Sequence, residues 1–335
     1  MKAIIFTRYG PPDVVHLQEI EKPAPQADQV LIETRAASIN AYDLHILRAD
    51  PFIIRLMGGG FLKPKNQRLG ADIAGRIEAV GTNAKRFQVG DEVYGDLGGW
   101  GSGSFAEYVC VSEDAVGLKP AHLTFEAAAA VPMAGVTALQ ALRDVGKIQA
   151  AHKVLIYGAS GGVGTFAVQI AKAFGAEVTA VCSPRHVDVM RSIGADEIVD
   201  YTKEDFAQRG QRYDLILAAN GYRSIFHYRR ALSPKGIFVA TGGVAQVFQA
   251  MLLGPRISKT GGQKFGSMIA HPNRKDHDVL SELLESGKVV PVIDRRYPLD
   301  EAAEALRYVG EGHARGKVVI TVERNGRTPA SSRNP

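Results

Sequence analysis

The sequence predicts an α/β protein in which a β-rich part is joined to a doubly wound parallel sheet. Between Lys2 and about Leu123, short runs of alternating apolar and polar residues are broken by glycine and proline, a pattern typical of irregular β structure. Beyond Leu123, strand-like and helix-like segments alternate. That alternation indicates a parallel sheet covered by helices on both faces.

In the first part, the apolar runs predict strands at 3–6, 29–33, 73–80 and 105–111. The texture changes at Thr124, a suitable helix N-cap before an alanine-rich run that favours a helix. A second helix at 135–145 leads into the most informative segment of the chain.

That segment, 154–164, is an apolar run that ends in a glycine cluster, and a helix-like stretch, 165–175, follows it. Gly161 and Gly164 match the second and third glycines of the G-x-G-x-x-G dinucleotide fingerprint, and Ala159 replaces the first. A second strand-like run at 177–182 completes a strand-helix-strand unit. In this context the cluster predicts dinucleotide binding, with the phosphates at the helix N-terminus.

Further units follow this strand-helix-strand motif. The predicted elements are a helix at 185–193, strands at 197–200 and 213–218, a helix at 224–231, a strand at 236–241, a helix at 248–255, a loop at 258–266, a helix at 275–286, a strand at 289–293, a helix at 299–309 and a strand at 316–322. The polar tail, 323–335, is predicted to be disordered.

Bulk composition excludes several classes of protein. The 335 residues are 45% hydrophobic and 22% charged, which indicates a soluble globular protein large enough for two domains. The net charge of +5 is scattered rather than clustered, so no nucleic-acid partner is expected. Two cysteines exclude a disulfide framework and fit a reducing compartment. The longest apolar stretch, 127–138, is too short to span a bilayer, so we expect a cytoplasmic protein without a membrane partner.

Several ordered motifs give the chain a family resemblance. They are 70–75 followed by Val80-Gly81, then 89–94, the glycine cluster, 194–201 and 313–320. Together they resemble the medium-chain dehydrogenase/reductase superfamily, and within it the zinc-independent quinone and enone reductases. The resemblance implies a GroES-like catalytic domain (1–123 and 270–322), an inserted Rossmann cofactor domain (124–269) and a homodimer.

The positions that hold zinc in metal-dependent members of this superfamily carry other residues here. Asn40 stands where those members have a cysteine ligand, and Gly70-Ala71-Asp72 stands where they have Gly-His-Glu. Catalytic zinc needs three nitrogen, sulfur or oxygen ligands from the protein, and structural zinc needs thiolates. We therefore expect no metal site.

The end of the second strand of the predicted cofactor domain indicates the preferred cofactor. An NAD site usually has an acidic residue there, but this chain has Ser183 and Arg185, which suit the extra phosphate of NADP. The resemblance adds Tyr201 near that phosphate. It also implies further contacts with NADP(H) at Asn40, Thr137, Ser160, Gly161, Gly162, Val163, Gly164, Asn220, Gly242 and Lys317.

These features predict an NADPH-dependent reduction of a quinone or of the double bond of an α,β-unsaturated carbonyl. Without a metal, a side chain must stabilise the oxyanion that develops on the substrate, and Tyr42 or His45 is the predicted hydrogen-bond donor. Quinone reductases of the family often carry tyrosine at the position of His45. Two alternatives remain open: a carbonyl or alcohol oxidoreductase, and an NADPH-binding protein with little catalysis.

Overall fold

The computed structural model describes residues 1–52, 54–56, 60–98, 103–312 and 314–323, with only the backbone described at 259–261. The predicted disordered tail therefore lies outside the described residues, apart from Glu323. The strands are β1 (Lys2–Phe6), β2 (Val15–Glu19), β3 (Gln29–Ile39), β4 (Asp72–Val80), β5 (Glu92–Asp96), β6 (Tyr108–Ser112), β7 (Val116–Leu118), β8 (Lys153–Tyr157), β9 (Glu177–Cys182), β10 (Glu197–Asp200), β11 (Tyr213–Ala218), β12 (Leu232–Ala240), β13 (Lys264–Ser267), β14 (Ile293–Pro298) and β15 (Lys317–Thr321).

Helices connect and cover these strands. They are α1 (Ala41–Arg48), α2 (Phe125–Ala129), α3 (Pro132–Gln140), α4 (Gly162–Ala173), α5 (Val187–Ser192), α6 (Ile225–Ala231), α7 (Val244–Gly261), α8 (Arg274–Glu285) and α9 (Ala302–Gly310). A π-helical turn, Ala141–Val145, continues α3. No helix among the described residues is long and apolar enough to cross a membrane.

The β-rich part contains a sheet in the order β14-β15-β3-β4-β5-β7, and β6 also pairs with β3. Strand β15, near the end of the chain, is antiparallel to β3, with Val318 opposite Ile39. Strand β4 pairs antiparallel with both β3 and β5, which places Asp72 opposite Ser38 on one side and opposite Asp96 on the other. This register brings residues from distant parts of the sequence to one end of the sheet.

The second sheet has the order β10-β9-β8-β11-β12-β13 and is parallel throughout. This is the strand order of the Rossmann fold, in which ligands bind where the order reverses, here between β8 and β11. Helix α4 packs against this sheet through Phe166 and Ile170, which are both fully buried. Each contributes about 2 kcal/mol of hydrophobic stabilisation. The predicted α/β class with a β-rich part and a doubly wound sheet is confirmed.

Two predicted elements after Gly243 are wrong. The predicted loop at 258–266 is instead the end of α7 followed by the edge strand β13. The strand predicted at 289–293 lies later in the chain, as β14. Strand β13 forms by pairing with β12, and β14 by pairing with β15, and local sequence pattern does not report such pairing.

Candidate active site

A cleft lies at the carboxyl ends of the parallel strands and consists of two adjoining cavities. The inner cavity, of about 230 Å³, is lined by Ile39, Asn40, Ala41, Ala134, Gly158, Gly161, Gly162, Val163, Gly164, Ala219, Asn220, Gly242, Gly243, Val309, Gly312, Ala314, Gly316, Lys317 and Val318. The outer cavity, of about 320 Å³, is lined by Tyr157, Gly158, Ser160, Gly161, Val181, Cys182, Tyr201, Asn220, Tyr222, Glu311, Gly312 and Ala314. Because they share five lining residues, the cavities can receive the two ends of one extended ligand.

The glycine cluster forms the floor between the two cavities. Gly158 has a φ of +78°, so the tight turn after β8 occurs there, one residue before Ala159, where the fingerprint alignment puts the first glycine. A Cβ added to Gly164 would lie 2.2 Å from the carbonyl oxygen of Gly158, so only glycine allows α4 to pack this close to the turn. The first amide groups of α4 have no partner within the helix. This arrangement fits the pyrophosphate of a dinucleotide.

A buried polar cluster stands at the inner end of the cleft, built around Lys317. The Nζ atom of Lys317 donates to Oδ1 of Asn40 at 2.5 Å and to Oδ2 of Asp72 at 3.1 Å. The side chains of Lys317 and Asp72 are 2% and 0% exposed. These two contacts use two of the three ammonium hydrogens. No third acceptor from the described residues contacts Nζ, so within this part of the chain Lys317 retains a donor for a ligand in the cavity that it lines.

Asp72 is held by donors on both of its oxygens. Oδ2 accepts from Oγ of Ser38 at 2.7 Å and from Nδ2 of Asn40 at 2.9 Å, in addition to Lys317, and Oδ1 accepts from the amide of Met133 at 2.9 Å. Four donors around one carboxyl group match the acceptor capacity of its ionised form. The lysine and the carboxylate therefore form a buried ion pair in fixed geometry.

Two more buried carboxyl groups surround this ion pair. Asp43, at the start of α1, accepts from the amides of Asn40 and Gly70, and burial raises its pKa to about 7. Asp96, at the end of β5, accepts from the amide of Gly98 at 2.8 Å. Burial, reinforced by the neighbouring charge of Asp72, raises the pKa of Asp96 to about 7 as well. The inner end of the cleft therefore contains three carboxyl groups and one ammonium group.

The predicted catalytic residues Tyr42 and His45 lie on α1, next to this cluster in sequence. The hydroxyl of Tyr42 donates to the carbonyl oxygen of Gly98 at 2.9 Å, and Nδ1 of His45 lies 2.6 Å from the carbonyl oxygen of Asp50. A contact with a carbonyl makes Nδ1 the donor in the neutral ring. In the part of the chain that the structure describes, neither residue lines the inner or the outer cavity.

The predicted cofactor residues divide between the cleft and its surroundings. The cleft brings together Asn40, Ser160, Gly161, Gly162, Val163, Gly164, Tyr201, Asn220, Gly242 and Lys317. Thr137 is buried on α3, one turn beyond the lining residue Ala134. Ser183 is half-buried and Arg185 is exposed. Over the described residues, these last three do not line either cavity.

Two further guanidinium groups lie near the outer cavity, and sequence reasoning did not find them. Arg315 follows the lining residue Ala314, and it lies close enough to His186 to lower the pKa of that histidine, although burial lowers it more. Arg223 hydrogen-bonds Tyr157, which lines the cavity. Glu311 contributes a carboxylate to the same lining. The outer cavity is therefore flanked by positive charge but is not free of acid.

Sequence reasoning also missed Asp43 and Asp96 and treated Asp72 only as a residue that does not bind zinc. The signal for Asp43 was its place three residues after Asn40, at the start of a helix. Asp96 had no signal of its own in the sequence. Throughout the described ranges, no group of three or more histidine, cysteine, aspartate and glutamate side chains is arranged to hold a metal ion.

Comparison with known proteins identifies the family of the chain. Residues 26–121 match the family described as "Alcohol dehydrogenase GroES-like domain", and residues 193–320 match "Zinc-binding dehydrogenase". The 2-methylene-furan-3-one reductase of Solanum lycopersicum is 36% identical, over 96% of this chain and 79% of that protein. The mitochondrial NAD(P)H oxidoreductase RTN4IP1 of Mus musculus is 33% identical, over 96% and 89%.

A solved structure agrees with these relatives over almost the whole chain. The quinone oxidoreductase from Coxiella burnetii superposes with a TM-score of 0.86 at 29% identity, covering 96% of this chain and 99% of that one. These comparisons confirm the resemblance drawn from the motifs. The chain belongs to the quinone and enone reductase branch of the medium-chain dehydrogenase/reductase superfamily.

Proposed function

We propose that this chain is an NADPH-dependent oxidoreductase that reduces a quinone or the conjugated double bond of an α,β-unsaturated carbonyl, without a metal. The observation that carries the proposal is the position of Lys317. Its ammonium group is buried and held by Asn40 and Asp72, and the residue lines the inner cavity beside the glycine turn. Relatives named as quinone oxidoreductases and as a furanone reductase support this substrate class.

The cleft fits a nicotinamide dinucleotide. The amides at the start of α4 would hold the pyrophosphate, and the inner cavity, with Asn40 and Asn220, would hold the nicotinamide half. Gly242, which lines the inner cavity after β12, must be glycine because a Cβ there would lie 1.8 Å from the carbonyl oxygen of Ala219. When bound, the reduced cofactor supplies a hydride equivalent to the substrate.

Lys317 acts on the substrate carbonyl in this proposal. Its remaining N–H donates to the carbonyl oxygen, where negative charge develops during reduction, and the low-dielectric surroundings strengthen that hydrogen bond. The ammonium group then supplies the proton that completes the reduction. Asp72 and Asn40 both accept hydrogen bonds from Nζ and so fix its position. The predicted roles of Tyr42 and His45 stay predictions.

The residues at this end of the cleft do not fit the zinc ion of the metal-dependent relatives. Asn40 and Asp72 occupy the positions expected for ligands, but both bind the ammonium group of Lys317. A divalent cation in the same place would be repelled by that charge. This donor set supports a reaction that uses Lys317 for the task of the metal.

Positive charge around the outer cavity supports NADPH over NADH. Arg185 and Arg315 both act on His186, so each lies near that histidine, which follows the end of β9. Tyr201 joins them there, because its amide donates to the carbonyl oxygen of Cys182. Arginine binds phosphate strongly through two parallel hydrogen bonds. Glu311, Asp294 and Asp200 contribute charges near this region that oppose the preference.

The test is NADPH oxidation with a simple quinone, an α,β-unsaturated ketone and a saturated aldehyde, repeated with NADH and with a chelator. Chelator-resistant turnover of the quinone or the enone, with preference for NADPH, is expected. Reduction of the aldehyde alone would favour a carbonyl or alcohol oxidoreductase. Tight NADPH binding without turnover of any substrate would contradict the proposal and favour a binding protein.

We also propose a homodimer formed through the edge of the parallel sheet, in the cytoplasm. Strand β13 lies at the end of that sheet, and the neighbouring helix α7 exposes Phe248, Met251 and Leu252. Apolar side chains at this spacing lie on one helix face. Light scattering after size-exclusion chromatography should give twice the chain mass; a monomer would contradict this proposal.

A further inference from the structure

The inner end of the cleft carries more buried acid than its one lysine can neutralise. Asp43, Asp72 and Asp96 are 1%, 0% and 2% exposed, and Lys317 is 2% exposed. With all four groups ionised, this volume would carry a net charge of −2. Burying charge without a counter-ion is costly, so a group in this position takes up a proton instead.

Strand register puts Asp96 beside Asp72. The two residues are directly opposite in the antiparallel pair of β4 and β5, and such residues point to the same face with Cβ atoms about 5 Å apart. Asp72 in turn contacts Nζ of Lys317. The order along this line is therefore Asp96, Asp72, Lys317 and the inner cavity.

Asp43 and Asp96 differ in the hydrogen bonds that their carboxyl oxygens accept. Asp43 accepts a backbone amide at each of its two oxygens, from Asn40 and from Gly70, and both bonds favour the ionised carboxylate. The described contact of Asp96 engages Oδ1, through the amide of Gly98. Oδ2 of Asp96 can therefore carry a proton without losing that bond.

The charged groups that act on Asp96 come from two other strands of the same sheet. They are Asp72 of β4, which favours protonation of Asp96, and Lys317 of β15, which opposes it. The charge of Asp72 raises the pKa of His277 on α8, but burial lowers that pKa by more and so favours the neutral ring. Burial of Asp96 is the largest influence and raises its pKa to about 7, so a protonated carboxyl group is available near neutral pH.

We propose that Asp96 is the proton reservoir of this site and that it reloads Lys317 through Asp72 after each turnover. Once Lys317 has given a proton to the reduced substrate, the O–H bond of Asp96 breaks and its proton passes to the carboxylate of Asp72. Asp72 then gives a proton to the neutral amine of Lys317 and is a carboxylate again. Asp96 is left as a carboxylate and regains a proton from water. No electrons move in this relay, which rests on the proposed function of Lys317.

The test compares Asp96→Asn with the wild type, using Glu92→Gln as the matched control. Glu92 is a carboxylate on the same strand, but it pairs with Arg76 and Lys119. The first turnover, followed by stopped flow with NADPH and an enone, should proceed at the wild-type rate in Asp96→Asn. The steady-state rate should fall about a hundredfold, because reloading then becomes limiting. Glu92→Gln should match the wild type in both phases.

A second measurement needs no substrate. The infrared C=O stretch of protonated carboxyl groups, recorded at pH 7 on the protein alone, should be weaker in Asp96→Asn and unchanged in Glu92→Gln. An unchanged band in Asp96→Asn would overturn the proposal. Equal losses in the first and later turnovers would also overturn it, since they would indicate a structural or direct role. If no enone or quinone is reduced by the wild type, the proposed function fails, while the infrared result still reports on Asp96.

Discussion

Removing one partner of the buried ion pair of Lys317 and Asp72 should strongly lower the free energy of unfolding. Lys317→Met removes the charge and retains most of the side chain, which packs against Gly162: a Cβ added there would lie 3.0 Å from Cδ of Lys317. Removing one partner of a buried ion pair leaves the other charge uncompensated and costs about 3–5 kcal/mol. The side chains are 2% and 0% exposed, so solvent offers little compensation.

The double variant Lys317→Met/Asp72→Asn removes both charges and so distinguishes the loss of the ion pair from the loss of side-chain packing. Because it removes both charges, its loss of unfolding free energy should be smaller than the sum of the two single losses by about 2 kcal/mol. Urea denaturation of the four proteins at pH 7 measures this coupling. Additive losses would refute the buried ion pair.

The same double variant tests catalysis apart from folding. It should fold and bind NADPH, since the glycine turn and the start of α4 are unchanged. Its kcat should nevertheless be lower than that of the wild type by about a hundredfold or more, because no ammonium group remains to act on the substrate carbonyl. Wild-type turnover by a well-folded double variant would refute the role given to Lys317.

Three other predictions concern the turn, the acid cluster and the outer cavity. Gly164→Ala puts a Cβ within 2.2 Å of a backbone oxygen, and urea denaturation should show a free energy of unfolding lower by about 3 kcal/mol. The control Gly117→Ala, which has no atom within 4 Å of the added Cβ, should leave the free energy of unfolding nearly unchanged. The pKa of Asp96 is about 7 in the folded protein and about 3.9 in the unfolded chain, so ionising Asp96 destabilises the fold. As the pH rises from 4 to 8, the free energy of unfolding of Asp96→Asn should therefore increase by roughly 4 kcal/mol relative to that of the wild type. A difference that does not change with pH would contradict this. In steady-state assays, the double variant Arg185→Ala/Arg315→Ala should have a KM for NADPH about tenfold higher or more, and an unchanged KM for NADH. Equal effects on both cofactors would show that neither guanidinium group binds the extra phosphate.

Local patterns predicted the strand, glycine turn and helix at the floor of the cleft, because these elements depend on local geometry. A strand, a glycine turn and a helix are neighbours in the chain, so their spacing shows what they form together. The pattern did not show which glycine adopts a positive φ, and Gly158 rather than Ala159 occupies the tight turn. The spacing of glycines in the fingerprint gives their positions in the chain but not their backbone dihedral angles.

The chemistry at the inner end could not be predicted in the same way. Lys317 and Asn40 are separated by 277 positions, and they meet only because β15 pairs with β3. Asp96 faces Asp72 because of the register of β4 and β5, and a shift of one residue would turn it to the other face. Family resemblance indicated Asn40 and Lys317 as cofactor contacts, but their direct bond and their shared carboxylate depend on strand register.

The position of the transferred hydrogen tests the central proposal most directly. The wild-type protein should be incubated with an α,β-unsaturated ketone and NADPH deuterated at C4 of the nicotinamide, with a chelator present, and the product analysed by mass spectrometry and NMR. We expect one deuterium at the β-carbon and a hydrogen from solvent at the α-carbon. Deuterium on the carbonyl carbon, or loss of the reaction with the chelator, would contradict a metal-free reduction of the conjugated double bond.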